Sequence, residues 1–267
     1  MSKIPTSVVK RLTTSVPKFK KVLARAKERD VNESDTVTVV TDMLEEVFGF
    51  DKYTDITREF GIQGTYCDLA VKSGKRIEYL LEVKAIGIDL NDRHLRQVVN
   101  YAAQQGITWV VLTNGLKWQI HRVNLEEKVR SEKLFAFDFA EINARQKEQQ
   151  ELLFLLCKRG VQKDLIDSYY EYRQQVNRYT VGALLLTDAV TAVVRRELRR
   201  LKTGIKVDIG EIRDLLKVEV IKREVLESDS GIEATKQLRR IARKQQKKPK
   251  TTKTKTKIED VKGGSEQ

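Results

Sequence analysis

The chain has 267 residues with 51 Lys or Arg against 38 Asp or Glu, and the resulting net charge of +13 favours a polyanionic partner. No run of 18 apolar residues occurs and the first residues lack the continuous apolar region of a signal peptide, so a membrane span is excluded and a cytoplasmic protein is expected. Two cysteines, Cys67 and Cys157, are too few for a four-ligand zinc site and are expected as reduced thiols.

In chain order, Val8 to Arg29 reads as a basic amphipathic helix with Val8, Leu12, Val16, Phe19, Val22 and Leu23 on its apolar side, interrupted or restarted at Pro17. A second helix opens with Asn32 as N-cap and repeats apolar residues at Val37, Val40, Leu44 and Val47 before stopping at Phe48 and Gly49. Glu33 falls on the side of that apolar stripe. A carboxylate there either complements the helix dipole or reaches a metal site as a third acidic group, and the two roles can coexist.

Thr65 to Val71 reads as a strand, and Ile77 to Ala85 as its antiparallel neighbour after the turn Lys72-Ser73-Gly74-Lys75. With a period of two, Ile77, Tyr79, Leu81 and Val83 share one face, and Glu78, Leu80, Glu82 and Lys84 the other. Asp68, Glu82 and Lys84 then aim at one point. Two carboxylates there suit a hard cation such as Mg²⁺ (or Mn²⁺), which takes oxygen ligands and completes its shell with water and phosphate oxygens. Lys84 is placed to orient or deprotonate an attacking water and to offset charge on phosphorus. Solvated residues on a half-exposed hairpin are the alternative. Cys67 is expected as a buried structural thiol.

Leu95 to Gln105 reads as a short crossover helix with Gln97 and Tyr101 at i and i+4, an amide and a phenol able to hydrogen-bond phosphate or water without competing for metal. A plain packing helix with Tyr101 in the core is the other reading. His94 and His121 read as lone surface or structural residues, although His94 is close enough in sequence to the crossover helix to touch substrate. Ile107 to Thr113 and Leu116 to Val123 flank Asn114-Gly115, a type I′ hairpin signal. The summed order is helix, strand, strand with Asp, strand with Glu-x-Lys, crossover helix, strand, strand, an α/β core with a mixed sheet.

Glu141 to Leu226 reads as helical throughout. Gly160 is a candidate stop after Leu152 to Cys157, Lys163 to Tyr179 and Val181 to Leu201 are further helices, and Asp208 caps a last one. Tyr169, Tyr170, Tyr172 and Tyr179 interleave with Lys163, Arg173 and Arg178, and Arg195, Arg196, Arg199 and Arg200 cluster. Such a region grips nucleic acid or packs as a docking module. From Ile232 to Gln267, 12 Lys or Arg stand against 4 Asp or Glu, and a fraying helix to about Gln246 followed by disorder is expected. The expected organisation is a domain at 1–140, a helical region at 141–231 and a basic disordered tail at 232–267.

From Glu33 to Val123 the chain resembles the N-terminal nuclease domain of type I restriction enzyme R subunits, within the PD-(D/E)XK nuclease superfamily. The resemblance is carried by Glu33, Gly49-Phe50, Asp68, Glu82-Val83-Lys84, Gln97 with Tyr101, and Leu112 to Gly115 with Trp118. It implies a restriction-endonuclease-like core, Mg²⁺-dependent cleavage of a DNA backbone, Glu33, Asp68 and Glu82 around the metal, Lys84 as catalytic lysine, and Gln97 and Tyr101 as motif residues. Two departures stand out. No Gly-x-x-x-x-Gly-Lys-Ser/Thr segment is present, so no ATP-driven motor is expected, and Cys67 replaces the usual proline before the Asp. The expectation is therefore a free-standing endonuclease related to restriction or defence, with DNA as partner, a homodimer or a partner specificity subunit as further partners, and two copies for duplex scission. The competing class is a catalytically silent nucleic-acid-binding or assembly subunit.

Overall fold

The computed structural model describes residues 3–62, 65–125, 129–202, 204 and 206–246. The chain divides into two compact units, one through Tyr172 and one from Arg173 onward.

In the first unit, α1 (Thr6–Glu28) runs without a break through Pro17, so the expected interruption does not occur. Val8, Leu12, Val16, Phe19 and Leu23 are buried along one side. Roughly 1.5–3 kcal/mol for each such side chain outweighs the roughly 3 kcal/mol cost of an interior proline. Helix α2 (Glu33–Glu46) begins where expected, with Asn32 Oδ1 accepting from the Asp35 amide at 2.9 Å.

Six strands follow: β1 (Ile56–Ile62), β2 (Thr65–Ser73), β3 (Arg76–Val83), β4 (Trp109–Thr113), β5 (Lys117–Asn124) and β6 (Arg130–Asp138). They form one sheet in sequential order. Every pair is antiparallel except β3 and β4, which are parallel because α3 (Asp92–Gln104) crosses between them. Helices α4 (Lys147–Leu156), α5 (Lys158–Val161) and α6 (Leu165–Gln175) follow the sheet. Two apolar clusters sandwich it: Leu12, Phe19, Leu44, Phe48, Tyr79 and Trp118 belong to one, and Leu80, Val98, Tyr101, Val110 and Leu112 to the other. This is the α/β fold with a mixed sheet that the sequence implies. Strand β6 escaped sequence reading because its first residues, Arg130 to Lys133, are polar and exposed on a sheet edge.

Three local expectations need correction. Ile77 does not join Tyr79, Leu81 and Val83 but packs with Leu80 in the second cluster. The register passes from Val71↔Tyr79 to Lys72↔Ile77, which leaves Glu78 as an extra residue on β3, and one extra residue reverses the faces beyond it. The β4–β5 turn is centred on Gly115 and Leu116, not on Asn114 and Gly115: Asn114 N donates to Lys117 O, and only Gly115 has positive φ, +84°. Glycine at the first central position belongs to a type II′ turn. Finally, Gly160 does not stop a helix by a left-handed turn. It lies within α5, where an added Cβ would collide with the carbonyl oxygen of Phe154.

The second unit is helical, with α7 (Arg178–Leu185), α8 (Asp188–Leu201), α9 (Ile209–Leu215), a π-helical turn (Leu216–Val220), α10 (Arg223–Glu227) and α11 (Asp229–Gln246). The single helix expected from Lys163 to Tyr179 is split, because Asn177 Oδ1 accepts from the amides of Tyr179 and Thr180 and starts α7 afresh. Asp208 caps α9 through the Gly210 amide at 2.8 Å, as expected. The helix expected to reach about Gln246 is α11, which packs on α7 and α10. The tail beyond Gln246 lies outside the described residues. Among the described residues, no helix is long and apolar enough to cross a membrane.

Candidate active site

Strands β2 and β3 are paired from Leu69↔Leu81 toward their shared turn. Past that point a side chain takes over from the ladder, and Asp68 Oδ2 accepts from the Val83 amide at 2.7 Å. On the other side of β2 the pairing jumps from Arg58↔Leu69 to Phe60↔Cys67, leaving Glu59 and Asp68 between the two pairs, and Glu59 sits at φ +46°. Cys67 and Leu69, two residues apart, consequently pack in different clusters. The pleat is interrupted at Asp68. A left-handed, non-glycine backbone inside a strand is uncommon and clusters at functional positions.

Glu82 is 1% exposed and its Oε1 lies 2.8 Å from Lys84 Nζ. Its other oxygen, Oε2, is buried with no hydrogen-bond partner among the described residues. Lys84 Nζ also reaches Glu33 Oε2 at 3.3 Å, so the exposed first residue of α2 is drawn to the end of β3. Glu33, Glu82 and Lys84 are thus brought together, and Asp68 joins through the backbone of Val83.

Burial, then repulsion from Asp68, pushes the Glu82 carboxyl up to about 7, against the pull of Lys84. Asp68 is raised as well, chiefly by burial; the Val83 amide and Lys84 oppose this, while Glu33 and Glu59 add to it. For Lys84, burial works against the charge but is outweighed by Glu82, Glu33 and Asp68, and the ammonium is held above its ordinary value. Lys84 is therefore a cationic donor here. Burial, with Asp68 and Glu82, pushes the Cys67 thiol up to about 12, and its Sγ bonds Leu69 O, so it is structural.

Gln97 and Tyr101 part company. Gln97 is exposed on α3, whereas Tyr101 is buried in the second cluster with its ring edge-on to Phe60 at 6.2 Å and its hydroxyl without a partner among the described residues. Among the described residues no hydrogen bond or ion pair joins either of them to Asp68, Glu82 or Lys84.

Two residues that sequence reasoning missed support the site. Glu59 adds charge beside Asp68, and nothing in the strand's polarity pattern signals its reversed φ. Asn114 enters the sequence reading as a turn residue and as part of the Leu112 to Gly115 resemblance, with no role for its side chain. Its Nδ2 donates to Ile86 O at 3.3 Å and Ile88 O at 2.9 Å, while Oδ1 accepts from the amides of Leu116 and Lys117. Lys84 N donates to Thr113 O one residue earlier, so Asn114 clips the segment after Lys84 to the β4–β5 turn. Asn114→Ala is expected to cost about 1–3 kcal/mol, since it strands buried partners; a loss below about 0.5 kcal/mol in urea denaturation would show that something else holds this loop.

Among the described residues, no group of three His, Cys, Asp or Glu side chains is close enough as it stands to hold a metal ion. The donor chemistry nevertheless fits a hard cation. Glu82 and Asp68 supply carboxylate oxygens only, and Glu82 Oε2 is a buried acceptor without a donor among the described residues, the kind of atom that an ion or its water satisfies.

Residues 39–135 match the family model described as type I restriction enzyme R protein N terminus (HSDR_N), the family to which the sequence motifs point. The matched span contains Asp68, Glu82, Lys84, Gln97 and Tyr101 and begins after Glu33. No curated protein and no solved structure matches the chain.

Proposed function

We propose that the first unit is a divalent-cation-dependent endonuclease, related to restriction or defence, that hydrolyses DNA phosphodiester bonds. The observation that carries this reading is the buried, unpartnered Glu82 oxygen beside Asp68, with Lys84 bonded to the same carboxylate. Asp68 and Glu82 would hold Mg²⁺ or Mn²⁺, with Glu33 brought in by Lys84. When bound, the cation supplies Lewis-acid polarisation of a phosphoryl oxygen.

The chain's own groups do the rest. Lys84, held cationic, donates hydrogen bonds to the attacking water and to the phosphoryl oxygens, where charge grows as the water oxygen bonds to phosphorus. The proton that the attacking water gives up passes to solvent, because a Glu82 carboxylate that holds the cation is not free to take it up. The sugar oxygen leaves as the phosphorus–oxygen bond breaks and acquires a proton from solvent.

A second reading has its own observation. Lys84 bridges Glu82 and Glu33 by itself, as it would in a silent nucleic-acid-binding or assembly subunit that keeps a nuclease fold. An assay on supercoiled, linear, single-stranded and modified DNA and on RNA, with Mg²⁺, Mn²⁺ or EDTA, separates the two. Divalent-dependent nicking of DNA is expected. No cleavage of any substrate would overturn the enzyme, and cleavage that survives EDTA would overturn its dependence on a divalent cation. One such site cuts one strand, so duplex scission should appear only where sedimentation shows two copies or a second subunit.

A further inference from the structure

Charge is distributed very unevenly between the two units. Residues 1–172 hold 27 Lys or Arg against 25 Asp or Glu, and residues 173–267 hold 24 against 13. The unit with the candidate active site is nearly neutral, although a polyanionic substrate needs an attractive surface. Helix α11 provides one in the second unit.

Gly231 and Ala234 are buried where α11 packs on α7 and α10. Away from that side, Lys236, Arg239, Arg240 and Arg243 are all exposed. Their spacing of i, i+3, i+4 and i+7 places them in one stripe. At about 1.5 Å rise per residue the stripe is roughly 10 Å long, the axial length over which one strand of a duplex carries about three phosphates at roughly 3.4 Å of axis each. Among the described residues, Arg239, Arg240 and Arg243 make no ion pair, and the nearest carboxylate contact of the stripe is Glu233 at 4.0 Å from Lys236. No described carboxylate competes with a phosphate for these three guanidinium groups.

An anionic membrane is the competing polyanion, but an interfacial helix needs a continuous apolar face beside its basic one. The exposed apolar residues of α11, Ile232 and Ile241, are nine positions apart and so lie on opposite sides of the helix. We propose that the Arg239, Arg240 and Arg243 face of α11 binds the phosphate backbone of double-stranded DNA and supplies much of the chain's electrostatic affinity. The nuclease reading enters only through the choice of duplex DNA as the polyanion.

The test is fluorescence anisotropy of a labelled DNA duplex with the full chain in EDTA, over a range of salt. R239Q/R240Q/R243Q should weaken binding at low salt by at least about tenfold and reduce the slope of log affinity against log salt by about 3, one for each phosphate contact. The matching Arg→Lys triple variant should keep most of the binding, and because EDTA removes any divalent cation, this readout is separate from the active-site claim. In the unmodified chain, duplex DNA should protect the bonds after these three arginines from trypsin. Unchanged affinity and slope in the Gln variant, equal loss in the Lys variant, unprotected tryptic sites, or tighter binding to phosphatidylserine vesicles than to duplex would each overturn the proposal.

Discussion

Lys84→Ala is expected to lower divalent-dependent nicking by about 100-fold or more, because it removes both a donor to the reacting phosphate and the cation that favours the ionised form of Glu82. Lys84 Nζ lies 2.8 Å from Glu82 Oε1 and is the only cation paired with that carboxylate among the described residues. Without it, burial and Asp68 would drive the Glu82 proton affinity higher still, and the neutral acid would be a poor cation ligand near pH 7. The fold should survive, since a protonated Glu82 carries no uncompensated charge. Glu82→Gln should lose as much activity by a different route. Raising the pH should recover part of the rate in Lys84→Ala, where a carboxylic acid remains to be ionised, and none in Glu82→Gln. The double variant should be little worse than either single one, as expected for groups that act together. Nicking by Lys84→Ala within about threefold of the unmodified chain, with melting unchanged, would remove Lys84 from the mechanism.

The parts of this site that follow from side-chain period and turn chemistry are visible in the bare chain. Asp68, Glu82 and Lys84 come together because a short turn closes β2 on β3 and residues two apart share a strand face. Glu33 is placed by a cap, and Asn32 announces it. What stays hidden are events that polarity patterns do not encode. Glu59 at φ +46° breaks the pleat opposite Asp68, the extra residue at Glu78 turns Ile77 to the other face, and Asn114 uses its amide to hold the segment after Lys84. Each depends on a backbone sign or on a side chain competing for main-chain hydrogen bonds, and both are settled only when neighbouring strands are in place. Tyr101 is a related case. An i, i+4 spacing puts it on the same side of α3 as Gln97 in principle, yet the buried stripe of that helix takes up the phenol and leaves the amide in solvent.

Stability should fall as pH rises through about 7, and Glu82 should be a main cause. Its ordinary value is 4.5 and the fold raises it to about 7, with burial as the first cause and Asp68 as the second. Between these values the folded chain binds a proton that the unfolded chain has released. The stabilisation from that proton is complete below the unfolded value and is lost as pH rises through the folded one. At about 1.4 kcal/mol for each tenfold gain in proton affinity, the effect is on the order of 3 kcal/mol. Asp68 is raised in the same direction, so part of the slope should remain when Glu82 is replaced. Thermal melting in EDTA from pH 5 to 8 should therefore show a steeper fall for the unmodified chain than for Glu82→Gln, with the variant the more stable of the two at pH 8. Added Mg²⁺ should reverse the ranking, because a cation that binds the ionised carboxylate stabilises the folded form and displaces the proton. The Mg²⁺-induced rise should be larger at pH 8 than at pH 6 in the unmodified chain and nearly absent in Glu82→Gln. Parallel melting curves for the two proteins across this range would mean that Glu82 keeps an ordinary carboxyl proton affinity, and the case for a buried, cation-seeking carboxylate at this position would fall with it.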